Sequence, residues 1–205
     1  MTTLSITTTD GEQLEVIHDS SGDSRGTIVL CHPHPQHGGT MRAPMLGAIA
    51  KHAVAQGFDV VRFNFRGVGG STGIHGDGKA ELHDVDAAVE FASTFGMPIA
   101  GMAGWSFGAA VCLNWQADTR SAVNYVGIAP PVNSPLTPPL PDPSRLAPAR
   151  RAFVIGEKDQ FIPADELATY AASISAEIIR YRGTDHFFVL KHKRLAEDVL
   201  MLLGG

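Results

Sequence analysis

Three residues of this chain have the types and positions that nucleophilic attack on a carbonyl carbon needs: Ser106, Asp159 and His186. A serine hydroxyl is a weak nucleophile at neutral pH and needs an adjacent base that titrates near that pH, which histidine alone offers unperturbed. The imidazolium formed during attack in turn needs a carboxylate to stabilise it and fix its tautomer. Ser106 stands in Gly104-Trp105-Ser106-Phe107-Gly108, after the apolar run PIAGMA and before the helical stretch AAVCLNW. That context predicts a strand, a sharp turn and a helix, the arrangement that lifts a serine hydroxyl above a sheet. A serine at positive φ on such a turn forces the residues two before and two after it together. Glycine at 104 and 108 relieves that clash, and Ala109 and Ala110 keep the surface small.

Nine histidines compete for the role of base. His186 is best placed, because it follows the last apolar run AEIIRY and the loop RGTD, immediately before the C-terminal helical stretch. Asp159 follows the run RAFVIG in the loop GEKDQFIP, a matching position for the acid. Glu157, nearer the strand end, and Asp185, suited to capping a helix that begins near His186, are the alternatives. Asp159 is the favoured reading.

Such residues must be held together by a frame. The first segment reads as two alternating strands, LSITTT and QLEVIHD, turned at Asp10-Gly11, so an antiparallel edge begins the sheet. Six nearly continuous apolar runs follow: TIVLCH, FDVVRFNF, IAGMAGW, AVNYVGIA, RAFVIGE and AEIIRY. Runs without alternation suit strands covered on both faces. Candidate helices lie between and after them, at 43–56, 78–94, 107–117, 163–172 and 186–203. Alternation of strand and helix requires mostly parallel strands and right-handed crossovers. The expected fold is therefore a doubly wound α/β sheet of about eight strands, with ligands beyond the strands' carboxyl ends. The interval from Pro130 to Pro148 holds eight prolines. It lacks the amide donors for a helix or a central strand, which predicts an extended surface loop too short to be a cap domain.

Composition narrows the partners. At 205 residues a single domain spanning 1–205 is expected. The net charge of −5 gives no reason to expect nucleic acid or an anionic membrane, and suits a small neutral substrate. The N-terminus has no basic or apolar leader pattern and no run is long enough to span a bilayer, which predicts a cytoplasmic protein. Cys31 and Cys112 lie within apolar runs and read as buried free thiols.

Two other patterns suggest different chemistry. His32, His34 and His37 form H-x-H-x-x-H, a spacing used by some metal sites. However, Gln36 stands where an aspartate is usual, and prolines 33 and 35 interrupt the series, so no metal or other cofactor is expected. Arg66-Gly67-Val68-Gly69-Gly70-Ser71 lacks the third glycine of a dinucleotide fingerprint and reads as a tight loop, with Arg66 pairing to Asp84 or Asp86.

The chain order Ser106, Asp159, His186 is the one the α/β-hydrolase fold produces. The segments CHPHPQHGGTM, RFNFRGVGGSTG, GWSFG, GEKDQFIP and GTDHFF resemble a subgroup of small bacterial α/β-hydrolases without a cap, akin to the dienelactone hydrolase superfamily. That resemblance covers nearly the whole chain. It implies a serine hydrolase that cleaves a small ester or thioester through an acyl-enzyme, with aminopeptidase or acyltransferase chemistry, or a noncatalytic binding module, as alternatives. Serine at 106 disfavours a dienelactone hydrolase, expected to carry cysteine there, and the dehalogenases and epoxide hydrolases, which use a carboxylate. The resemblance also implies an oxyanion site built from the N–H groups of Phe107 and His34, held between Pro33 and Pro35. Met41, Trp105, Phe107, Phe161, Phe187 and Phe188 flank the catalytic positions, and Trp105 and Phe161 are the first choices for contact with substrate.

Overall fold

The computed structural model describes residues 3–204. β1 (Thr3–Thr7) and β2 (Gln13–Asp19) form the expected hairpin, closed through Thr8–Glu12 with Gly11 at φ 95°. Six further strands follow: β3 (Thr27–Cys31), β4 (Asp59–Phe63), β5 (Ile99–Trp105), β6 (Tyr125–Ile128), β7 (Arg151–Gly156) and β8 (Glu177–Tyr181). They join β1 and β2 in one sheet of order β1-β2-β4-β3-β5-β6-β7-β8. Pairing is antiparallel at β1/β2 and β2/β4 and parallel from β4 onward.

Five helices connect and cover the strands: α1 (Pro44–Ala55), α2 (Glu81–Ser93), α3 (Phe107–Thr119), α4 (Ala164–Ser173) and α5 (His192–Leu203). From β3 the chain crosses by α1 to β4 on one side, and later passes from β5 by α3 to β6 on the other. Right-handed crossovers in opposite directions put their helices on opposite faces, so α1 packs with α5 and α2 with α3. Every residue of β3, β4, β6 and β7 is buried, which is why those strands read as unbroken apolar runs. Among the polar exceptions, Arg62 in β4 donates through Nε and Nη2 to Asp19 and through Nη1 to the Met41 carbonyl. The strand order reverses at β3, so a crevice opens beyond the carboxyl ends of β3 and β5, where an open α/β sheet takes its ligand.

Two helix starts differ from expectation. α2 begins at Glu81 rather than Gly78, because the Glu81 carboxylate accepts from the N–H groups of Gly76 and Gly78 and fixes them in a turn. α5 begins at His192 rather than His186, because Phe188 and Leu190 hold φ of 50° and 62°, conformations that no helix continues. Asp185 is therefore not a helix cap; its Oδ1 accepts from Phe187 N–H within the loop. The proline-rich stretch runs between β6 and β7 with only a short 3-10 turn at Pro143–Arg145. Among the described residues no helix is long and apolar enough to cross a membrane.

Candidate active site

Ser106 occupies the turn between β5 and α3 with φ 53° and ψ −118°, the strained backbone that its neighbours were expected to permit. Its N–H donates to the Ile128 carbonyl at 2.8 Å and its carbonyl accepts from Ala109 and Ala110, so the backbone is fixed on both sides. A Cβ on Gly104 would lie 2.5 Å from the Ala109 nitrogen, and one on Gly108 would lie 2.3 Å from the His32 carbonyl oxygen. Neither contact can relax without moving main chain, so the turn demands glycine at both positions.

The base and acid candidates come from the loops after β8 and β7. Glu157 N–H donates to the Tyr181 carbonyl and Lys158 N–H to the Thr184 carbonyl, which ties these loops together. His186 Nδ1–H donates to Asp159 Oδ2 at 2.7 Å, with both side chains buried. Asp159 Oδ1 accepts from the N–H groups of Phe161 and Ile162, each at 2.9 Å. These bonds engage both carboxylate oxygens and leave His186 Nε2 as the ring's available lone pair. Trp105, Phe161 and Phe187 surround the imidazole with ring centroids 5.8, 5.1 and 5.7 Å away. That apolar sleeve strengthens the carboxylate's hold on the ring. Of the alternative acids, Glu157 is exposed and Asp185 closes its own turn.

Ser106 and His186 line one cavity of about 600 Å³. Trp105, Phe161, Ile162 and Phe187 give it aromatic and aliphatic surface. The rest of its wall comes from Pro33, His34 and 37–40 of the loop after β3, from 42–44 at the start of α1, and from Pro131, Ser134, Leu136 and Thr137 of the proline-rich loop. The expected contacts Trp105 and Phe161 thus face the cavity, as does Phe187, whereas Met41, Phe107 and Phe188 are buried in the core. The four proline-loop residues escaped sequence reasoning. The one available signal was position, since the loop leaves the carboxyl end of β6 beside the nucleophile strand. A shallower groove of about 650 Å³ lies elsewhere, along α1 and the end of β2. It holds neither Ser106 nor His186, and Arg62 within it is already paired with Asp19.

The loop after β3 places its histidines in different roles. His32 is fully buried: Nδ1–H donates to the Pro33 carbonyl at 2.6 Å and Nε2 accepts from Phe65 N–H at 3.0 Å. Burial holds its pKa down at about 4, and with both nitrogens engaged it has no lone pair for a metal. His34 is buried as well and its imidazole is pushed below its ordinary pKa by burial. Its carbonyl accepts from His37 and Gly39, while its N–H and that of Phe107, the first residue of α3, take no partner among the described residues. Behind this loop Arg66 donates to Asp84 through its backbone N–H, Nε and Nη2, and its guanidinium also pairs with Asp10. Asp86 instead accepts from the Trp115 indole N–H.

Comparison with known proteins agrees with this architecture. The family model described as serine aminopeptidase, S33, matches residues 22–155, a span that holds Ser106 and ends before Asp159 and His186. An uncharacterized protein of Rickettsia prowazekii is 30% identical over 182 residues, covering 83% of this chain and 75% of that protein. Among solved structures, an alpha-beta serine hydrolase homologue from Coxiella burnetii superposes with TM-score 0.85 at 30% identity, over 98% of this chain and 96% of its own. A serine hydrolase without lid from Xanthomonas campestris superposes with TM-score 0.83 at 27% identity, over 99% and 93%. With its elbow, its sheet order and a family match over more than half its length, the chain belongs to the serine aminopeptidase S33 family of the α/β-hydrolase superfamily.

Proposed function

We propose that this hydrolase cleaves a small carboxylic ester or thioester, with Ser106 as nucleophile, His186 as general base and Asp159 as the acid that orients and stabilises it. The observation that carries the reading is the buried His186–Asp159 hydrogen bond of 2.7 Å, set in the same cavity as a serine held at positive φ. In this reading Ser106 Oγ attacks the carbonyl carbon while His186 Nε2 takes its proton. The electron pair moves to the carbonyl oxygen, facing the N–H groups of Phe107 and His34; one such donor contributes about 3 kcal/mol. Collapse of the intermediate expels the alcohol or thiol, which leaves with the proton from His186. Water, deprotonated by the same imidazole, then releases the acid and restores Ser106.

The family description makes an aminopeptidase the second reading. Binding a free α-ammonium group calls for a carboxylate in the pocket, and the residues that line this cavity include none. The one acid close by, Asp159, is spent on His186 and two backbone amides. An acyl substrate without an ammonium group therefore fits better, and the open cavity suits short acyl chains.

The test is labelling of the purified chain with a fluorophosphonate, beside turnover of short p-nitrophenyl esters and aminoacyl p-nitroanilides. Labelling that disappears in Ser106→Ala and falls sharply in His186→Ala, with ester turnover far above anilide turnover, is the expected result. A folded wild-type chain that takes no label would overturn the serine mechanism. Anilide turnover exceeding ester turnover would transfer the assignment to the aminopeptidase reading.

A further inference from the structure

The tip of the proline-rich loop, residues 132–138, is held to the rest of the molecule in an unusual way. Its internal bonds are few: Leu136 N–H to Ser134 Oγ, Thr137 N–H to the Ser134 carbonyl, and Leu140 N–H to the Val132 carbonyl. The following residues are well anchored. Pro139 O accepts from Asn114 Nδ2 of α3, Tyr170 of α4 donates to Pro141 O, and Leu140 is buried in the core. Residues 132–138 have a single hydrogen bond leaving the loop among those described, from His34 Nε2–H to the Leu136 carbonyl at 2.9 Å. Pro135 and Pro138 have no N–H to add another.

His34 therefore ends two structures at once. Its Nδ1 accepts from Gln36 N–H and caps the short turn Pro35–His37, while its Nε2–H grips the loop tip 102 residues away in sequence. The ring is clamped between His37, at a centroid distance of 4.4 Å, and Phe107 at 5.0 Å. We propose that His34 is a positioning residue whose imidazole fixes the proline-rich loop as part of the cavity wall, so that this wall selects the substrate by size. The inference rests on the serine-hydrolase reading of the same site. If the tether opens, Pro131, Ser134, Leu136 and Thr137 lose their fixed distance from Ser106, and the pocket stops discriminating between chains of different length. Methylene-scale selection is what a fixed apolar wall supplies, at about tenfold or more per well-fitted group.

The two bonds of the imidazole can be separated by substitution. His34→Asn keeps an acceptor where Nδ1 lies and so retains the turn cap, but is too short to reach Leu136. His34→Gln keeps a donor near the Nε2 position and loses the cap. The experiment measures kcat and KM for p-nitrophenyl esters from acetyl to octanoyl, and the rate of fluorophosphonate labelling, on full-length variants checked for cooperative thermal unfolding. The Asn variant is expected to flatten the dependence of KM on chain length by about tenfold. The Gln variant is expected to keep the wild-type dependence. Pro135→Gly, which frees the tip without touching His34, is expected to flatten it about threefold and serves if the Asn variant does not fold. A wild-type dependence in the Asn variant, or in Pro135→Gly where the Asn variant does not fold, overturns the inference, as does equal flattening in Asn and Gln. In each case labelling of the wild type leaves the serine mechanism standing; an unlabelled wild type removes both.

Discussion

The carboxyl edge of the sheet buries polar side chains at both ends of the site, and the two regions use them differently. Beyond β3 and β4, the buried side chains of His32 and Arg66 are held still by their partners. His32 spends one nitrogen on a carbonyl and the other on an amide, and Arg66 is gripped by Asp84 and Asp10. Beyond β7 and β8, His186 is nearly as buried, yet only one nitrogen is spent, and on a carboxylate. A neutral partner on each side locks an imidazole in one uncharged tautomer. A carboxylate on one side leaves the lone pair of the other nitrogen uncommitted. Burial alone therefore does not distinguish the two imidazoles; the nature and number of their partners do.

The sharpest way to break this contrast is to neutralise the carboxylate. Asp159→Asn keeps the shape of the side chain but removes the charge that stabilises imidazolium, and its amide favours the wrong tautomer. In the proposed mechanism kcat/KM on a short ester should fall by about 10⁴-fold, roughly 5 kcal/mol, with thermal stability little changed. A loss of less than tenfold would show that the bond at 2.7 Å is structural, and the two ends of the site would then be alike.

The opposite end should give the opposite result. Asp84 has no exposed side-chain surface and accepts three hydrogen bonds from Arg66. Asp84→Ala leaves a buried guanidinium with only Asp10, whose side chain is 36% exposed, as its partner. Loss of one member of such a pair costs about 3–5 kcal/mol of folding stability. Urea denaturation should show that loss, while kcat of the remaining folded protein stays within about threefold of wild type. A drop in kcat comparable to that of Asp159→Asn would mean that this network belongs to the chemistry.

The contrast also explains which parts of the molecule the sequence made legible. Strands buried on both faces must be apolar throughout, so β3 to β7 could be read from composition alone, and their alternation with helices left little choice of topology. Ser106 was marked by the glycines around it, because backbone strain leaves a local signature; the positions of Asp159 and His186 followed from the strand ends they succeed. Two things were not legible. The segment 186–191 has the apolar spacing of a helix start, and only the left-handed backbone at Phe188 and Leu190 delays α5 to His192. The wall formed by residues 131–137 depends on a bond between residues 102 apart, and no local pattern records a contact at that range. Whether Arg66 would choose Asp84 or Asp86 was open for the same reason, since the two lie about 200° apart around α2 and only packing decides which face meets Arg66.

A smaller effect gives the locked imidazole of His32 a signature in pH. The His32 pKa is about 4 in the folded chain against an ordinary 6.5. Between those values the unfolded chain binds the extra proton, so stability is greatest above pH 6.5 and declines as pH falls toward 4. The full difference is worth about 3 kcal/mol, at ~1.4 kcal/mol per pH unit. His34, shifted in the same direction by burial, adds to the decline. Asp10 and Asp59, whose carboxyls are held low by Arg66 and by hydrogen bonds from Ser21 and His18, lose their contributions only below the normal carboxylate range. Urea denaturation should therefore give a wild-type chain about 2–3 kcal/mol less stable at pH 4.5 than at pH 7.5. His32→Gln should begin from a lower stability and lose most of its share of that slope. An unchanged slope in the variant would mean that His32 takes up a proton in the folded state. In that case the neutral, locked character assigned to the region beyond β3 would fail, and with it the distinction from His186.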